Sequence, residues 1–441
     1  MHDLVIRGAR IFEDGQWIEK DIGIDDGKFA SFQAESGRET LDAQGRFLLP
    51  GGIDLHVHFN EPGRTHWEGF ATGSLAAAAG GNTFLCEMPL NSIPSTVSAR
   101  DLQTKLDAIN GKSLLDYALW GGLVPGNVSE IAGLHEAGVA GFKAFMSPSG
   151  TDDFINSDTQ TLKAGMKEIA KTGKILAIHA EDPATLTSAS DGLSSKLTAL
   201  DWEKSRPVEA EINAVKIAID LAAESGCRIH IVHVSAPEVL EVIAKAKMQG
   251  VDITCETCPH YLLLTIEQAD QIGPHAKCAP PLRPRHTVNG LWQAIRMGMV
   301  DTIGSDHSPA PPDLKSGKTF YDAWGGISGV QHGLPLLWQK AASDPELFQR
   351  LLDLSSKNAG ELIGLHGKGS IKAGYDADFT LVAEYGACSS ITEAELLYRH
   401  KTSAYCGMDL GLKVEETWQA GRCVYKDGAG MGDPKGAFIK F

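Results

Sequence analysis

The chain has 441 residues, 43% of them hydrophobic, and 40 Lys and Arg against 56 Asp and Glu give it a formal net charge of -16. That much apolar material can bury a large core, while the acidic balance disfavours nucleic acid or an anionic membrane surface as a partner and leaves a small-molecule substrate as the simpler expectation. At ~100–200 residues per domain, the length fits two or three domains, or one large α/β barrel with an accessory module.

No stretch approaches the ~18 apolar residues of a membrane span. Met1-His2-Asp3 leads straight into Leu4-Val5-Ile6 without a signal-peptide pattern, so a cytoplasmic protein is expected. From residue 3 to 34, polar and apolar residues alternate, and Asp14-Gly15 and Asp26-Gly27 are hairpin-turn signals between Leu4-Val5-Ile6, Trp17-Ile18 and Phe29-Ala30. The middle of the chain alternates short apolar strands with helical stretches. Strand candidates fall at 53–59, 83–88, 117–123, 141–145, 175–179, 228–233, 252–255 and 302–305, and eight such strands close a (β/α)8 barrel. The clearest helix is 207–224, with Pro207 in its first turn, Ile212, Val215, Ile219 and Ala222 on one face, and Gly226 just past its end. Cys255-Glu256-Thr257-Cys258 is a single CxxC in a strand-like run, read as buried thiols; eight cysteines in a chain of this length do not form a disulfide framework. From about 368 the strand-and-turn texture returns, with Phe379-Thr380-Leu381-Val382 and Cys423-Val424-Tyr425. Neither end has enough strands to bury a face alone. The expected organisation is therefore a catalytic barrel over 51–367 beside a small β-sandwich built from 1–50 and 368–441.

Metal-ligand residue types sit at the ends of those strands: the pair His56 and His58, then Lys143, His179, His233 and Asp306. Side chains repeat every second residue along a strand, so His56 and His58 share a face and can grip one ion together. Taken singly, His179 and His233 read more readily as hydrogen-bonded core histidines than as ligands, His230 as structural, and Asp306 as a cap or turn residue. Lys143, within Phe142-Lys143-Ala144-Phe145, resists a bland reading, because an unpaired ammonium does not belong in a buried strand. Active sites of (β/α)8 barrels lie at the C-terminal ends of the strands, which is where all six fall. Imidazole and carboxylate suit zinc and its first-row neighbours. The pattern points to a metal-dependent hydrolase.

The run Gly52-Ile53-Asp54-Leu55-His56-Val57-His58-Phe59-Asn60-Glu61-Pro62-Gly63 resembles the first-strand signature of the amidohydrolase superfamily, in the branch that holds dihydroorotases, dihydropyrimidinases and allantoinases. Phe142-Lys143-Ala144-Phe145-Met146, Ile178-His179-Ala180-Glu181-Asp182, Val232-His233-Val234-Ser235, Cys258-Pro259-His260-Tyr261 and Ser305-Asp306-His307-Ser308-Pro309 are similar to its later signatures, in order and along essentially the whole chain. The resemblance implies two divalent metal ions per subunit, zinc first, with cobalt, manganese or nickel as alternatives. Lys143 would be carbamylated and bridge the two ions, with His56, His58 and Asp306 on one and His179 and His233 on the other. A bridging water would then act as nucleophile and Asp306 would shuttle its proton, making Lys143 and Asp306 the catalytic pair. A homotetramer is also implied.

On substrate, dihydroorotases carry Arg two positions after the second His, to pair with a carboxylate; Asn60 stands there in this chain and favours a neutral ring. Met88-Pro89-Leu90-Asn91-Ser92-Ile93-Pro94, Lys277-Cys278-Ala279-Pro280-Pro281-Leu282-Arg283 and Ala323-Trp324-Gly325-Gly326-Ile327-Ser328-Gly329 resemble the allantoinase group. That implies hydrolysis of the hydantoin ring of allantoin to allantoate, a step of purine breakdown. Asn60, Asn91, Gly326 and Ser328 are the expected substrate contacts. Hydantoinase or dihydropyrimidinase activity is the alternative, although that group relies on a tyrosine near the bridging lysine and residues 144–156 contain none. A non-catalytic scaffold fits less well, since every ligand position is filled.

Overall fold

The computed structural model describes the backbone of residues 1–441 and the side chains of all of them except 385–388. Parallel strands alternate with helices through its centre. Strands one to eight of the barrel are Gly52–Val57, Asn82–Glu87, Asp116–Leu119 continuing as Gly121–Gly122, Phe142–Phe145, Ile175–His179, Arg228–Ile231, Ile253–Thr257 and Thr302–Ile303. Strand three breaks at Trp120, whose indole Nε1 crosses the barrel interior to donate to Leu55 O at 2.9 Å. The break divides the hydrogen-bonded ladder into a three-stranded and a six-stranded segment. Closure between strands eight and one comes from His58 N–H donating to His307 O at 2.8 Å and Ser305 N–H to the Asp54 carboxylate at 3.1 Å. Ile53, Leu55, Phe84, Cys86, Trp120, Ala177 and Val232 fill the interior as one buried cluster. It is a packed core, as barrels of this size require.

The helix after strand five spans Val208–Ser225, with Pro207 preceding its first turn and Gly226 in the left-handed conformation just past its end. Its buried face is Ala210, Ala214, Val215, Ala218, Leu221 and Ala222. Ile212 and Ile219 only flank that face, because small alanines let the helix lie close on the barrel and leave the larger residues at its rim.

Both chain ends join one nine-stranded sheet beside the barrel. Strand Phe47–Pro50 pairs antiparallel with Phe379–Ser390, setting Leu48 opposite Leu381 and Leu49 opposite Thr380. Hairpins at Asp14-Gly15 and Asp26-Gly27 carry left-handed φ at both central residues, the turn geometry that matches strand twist. Leu4, Ile6, Ile22, Ile24 and Phe29 from the first end pack with Phe379 and Leu381 from the second. Among the described residues every cysteine is a free thiol, Cys255 and Cys258 both buried. None of the described helices is long and apolar enough to cross a membrane.

Candidate active site

The C-terminal mouth of the barrel brings His56, His58, Lys143, His179, His233 and Asp306 together. His56 Nε2 and His58 Nε2 lie 3.3 and 3.4 Å from the same Asp306 oxygen, Oδ1. These three alone among the described residues form a compact His and carboxylate cluster of metal-binding dimensions. Beside it His179 Nδ1 faces His233 Nε2 at 3.0 Å, and the His233 ring centroid is 5.5 Å from that of His56. Lys143 is fully buried and its Nζ has no hydrogen-bond partner among the described residues. Burial pushes its ammonium down to about 8, against the pull of the Asp306 and Glu256 carboxylates.

Burial likewise holds His58 at about 4 and lowers His179 and His233. The imidazoles are therefore neutral near pH 7, with lone pairs free for a ligand. Burial opposes the charge of Asp306, but the surrounding His56, His58 and His233 rings keep its carboxyl below the usual range, so it is ionised. Four imidazoles, one carboxylate and a buried amine without a hydrogen-bond partner among the described residues form a donor set that fits divalent first-row ions.

Partners behind the histidines fix how the rings point, and sequence reasoning missed them. Glu256, buried in strand seven, takes His56 Nδ1 at 2.6 Å, which leaves His56 Nε2 facing Asp306. Gly304 makes room for it, since a Cβ there would meet Glu256 Oε2 at 2.4 Å. Glu181 holds His179 Nε2 at 2.7 Å and is itself clamped by Arg206 through contacts of 2.7 and 3.1 Å. The signal for Glu256 was available: a carboxylate inside a strand-like run is as awkward as Lys143. Arg206 had none, because it sits in the loop after a short helix.

A cavity opens above the cluster. His56, His58, His179, His233 and Asp306 floor it, and Asn91, Trp202, Arg206, Lys277, Trp324 and Gly326 stand among its walls. Of the four expected substrate contacts, Asn91 and Gly326 reach the wall. Asn60 is buried behind it, with its amide Nδ2 donating to Pro309 O at 3.4 Å, and Ser328 lies outside it, its carbonyl accepting from Ser403 Oγ at 2.6 Å. Gly326 has φ 124°, and a Cβ there would meet Ser308 O at 2.2 Å, so only glycine fits. Its N–H donates to Lys277 O at 2.7 Å, so this residue offers surface to a ligand rather than a free amide.

A (β/α)8 barrel whose strand ends gather histidines and a carboxylate at a cavity floor is the architecture of a hydrolase that works through metal ions. Residues 47–424 match the Amidohydrolase family, and the chain belongs to that family. It is 46% identical to an allantoinase of Rubrobacter xylanophilus over 99% of this chain and 97% of that protein. To an allantoinase of Bacillus velezensis it is 42% identical, over 97% of this chain and 95% of the relative. Among solved structures it superposes on an L-hydantoinase (dihydropyrimidinase) from Arthrobacter aurescens with a TM-score of 0.95 and 30% identity, covering 100% of both chains. A dihydropyrimidinase from Brevibacillus agri follows with a TM-score of 0.88 and 26% identity, over 99% and 98% of the two chains.

Proposed function

We propose that this protein hydrolyses the cyclic amide bond of the hydantoin ring of allantoin to give allantoate. One observation carries the chemistry: five potential ligand side chains gather beside a buried lysine whose amine has no hydrogen-bond partner among the described residues. The allantoinase relatives, similar over nearly the full chain, support the substrate.

In this reading His56, His58 and Asp306 hold one divalent ion and His179 and His233 a second, zinc being the first candidate and cobalt, manganese or nickel the others. Lys143, carbamylated on Nζ, would offer its carboxylate as a further ligand. Its depressed pKa favours the neutral amine that carbon dioxide needs, and the carbamate would replace an isolated cation in a dry pocket by a paired anion. Bound there, the ions supply Lewis acidity that activates water and polarises the scissile carbonyl. Asp306 takes the proton of the attacking water on its carboxylate and delivers it to the departing ring nitrogen. Glu256 and Glu181 keep the imidazoles in the tautomers that face inward. Asn91 meets the ureido group, while Trp202, Trp324 and Gly326 shape the cavity around the ring. Asn60 and Ser328 support that wall from behind. A cytoplasmic homotetramer is the location and assembly that the family resemblance supports.

The test is turnover by protein expressed with divalent metal and bicarbonate, with allantoin, hydantoin, dihydropyrimidine and dihydroorotate compared at equal concentration. Preferential opening of allantoin is expected. Preference for hydantoin or dihydropyrimidine would move the assignment toward the hydantoinases that the fold also resembles.

A further inference from the structure

Two lysines near the cavity have no place in the chemistry above. Lys277 and Lys315 are both buried, and among the described residues neither meets a carboxylate at ion-pair distance. Their ammonium groups are spent on main-chain carbonyls, four of the five in a single loop. Lys277 Nζ donates to Tyr321 O at 2.8 Å and Ala323 O at 2.7 Å, with the Trp202 ring centroid 4.2 Å away. Lys315 Nζ donates to Trp324 O at 3.1 Å, Gly326 O at 2.6 Å and, in the separate turn Pro274–Ala276, Pro274 O at 3.3 Å. Five carbonyls thus converge on two cations. The loop has no regular structure over 316–326 to supply those partners otherwise.

A buried ammonium held only by carbonyls is costly to desolvate, and a loop built on it collapses to one conformation or not at all. Burial, reinforced by the nearby Arg206 charge, pushes Lys277 down to about 8, and burial with the Lys277 charge pushes Lys315 to about 7. So expensive an arrangement needs a return, and what it fixes is the Trp324–Gly326 segment of the cavity wall. We propose that Lys277 and Lys315 form an ammonium clamp that folds the loop after strand eight into a fixed wall, making them positioning residues that set how tightly a cyclic amide is held. The clamp rests on the proposed function for its consequence, but not for its existence.

The experiment therefore has two arms. Amide hydrogen exchange at Trp324 and Gly326, in protein without substrate, is compared between the wild type and Lys315→Met. Exchange there should speed up by at least about tenfold while the amides of barrel strand one stay protected. The second arm measures KM and kcat for whichever cyclic amide the wild type turns over, with KM expected to rise about tenfold and kcat to change less, at unaltered metal content. If Lys315→Met does not fold, Lys277→Met serves in both arms. Unchanged loop exchange, or exchange that rises equally throughout the barrel, overturns the clamp. A loosened loop with unaltered KM overturns its role in holding substrate. Failure of allantoin itself to react, with another ring turned over, strikes the proposed function and leaves the exchange arm to judge the clamp.

Discussion

Replacing Glu256 by Gln changes one charge behind the proposed metal centre and leaves the shape of the side chain in place. In the wild type the carboxylate lies 2.6 Å from His56 Nδ1 and also accepts the His233 N–H at 3.3 Å, in a site almost closed to water. A hydrogen bond to a charged partner contributes roughly 1.5–3 kcal/mol and a neutral one roughly 0.5–1.5. The Gln oxygen can still accept from Nδ1–H, so the expected loss is the difference, about 1–2 kcal/mol. At about 1.4 kcal/mol per decade that corresponds to a roughly 5- to 30-fold rise in the dissociation constant of the ion on His56, overlapping the lower part of the roughly 10–100-fold range usual for partners behind a metal ligand. Competition with a chromophoric chelator measures it directly. Activity should fall at limiting metal and return at saturating metal, since nothing that touches substrate has changed. Wild-type affinity in Glu256→Gln would refute the reasoning, because His56 would then orient itself without help. Activity that stays low at saturating metal would also refute it.

Four further outcomes follow from the same geometry. Lys143→Ala should lose nearly all turnover and regain part of it when short carboxylic acids are added, whereas full activity without them would remove the carbamate from the site. Asp306→Asn should keep some bound metal while kcat drops about 10²–10⁴-fold, the usual range for a positioned proton acceptor, as read by steady-state kinetics with metal analysis on the same sample. Gly304→Ala should reproduce or exceed the metal-affinity loss of Glu256→Gln, since its Cβ would meet Glu256 Oε2 at 2.4 Å; an unaltered affinity would mean the strand end gives way instead. Glu87 is buried, and burial lifts its carboxyl to about 7 despite Lys105, from 4.5 when unfolded. The folded chain then binds more protons than the unfolded one, so this stabilisation is full below about 4.5 and is lost as pH rises through about 7. Glu87→Gln should flatten that fall, which denaturant midpoints at pH 5 and pH 8 will show.

Much of the barrel was legible because its strands are short apolar runs, and five of the eight carry at or near their ends a residue that cannot be there for packing. Lys143 is the clearest of these: a cation in Phe142–Phe145 has no structural use, so its place in the sequence alone implied a site. Glu256 carries the same signal in Ile253–Thr257, yet it lies within a CxxC run, where the cysteines drew the reading to buried thiols. Substrate contacts were less legible, for a physical reason. The cavity wall is made by Trp202, Arg206, Lys277 and Trp324, from loops and a short helix with no periodicity and no fixed spacing from any ligand. Asn60 illustrates the converse: two residues past His58, strand alternation would put it on the histidines' face, but its φ of 66° turns the chain and sends the side chain toward Pro309 O. The period of two holds only while the backbone stays extended.

That turn is one of a set. Among the described residues nine that are not glycine have left-handed φ, and five of them, Asp14, Asp26, Gln44, Ala420 and Asp427, sit in turns of the outer sheet where such backbone is routine. The other four are Asn60, Asn91, His233 and Asp306, with φ of 66°, 69°, 43° and 45°, and all lie just beyond the C-terminal ends of barrel strands. Asn tolerates this region; His does so less readily, and each such residue costs about 1–3 kcal/mol unless its surroundings over-determine it. Here they do, because His233 N–H is tied to Glu256, and Asp306 lies between Ser305, held by Asp54, and His307, held by Gly329 N–H. An extended strand would carry its next side chains up and away from the barrel axis. A left-handed residue at the strand end turns the chain sharply, and at two of the four positions the residue so placed is itself a proposed ligand on the cavity floor. The strain is thus concentrated where a strand end has to become a site, and the buried carboxylates behind the histidines hold it in place.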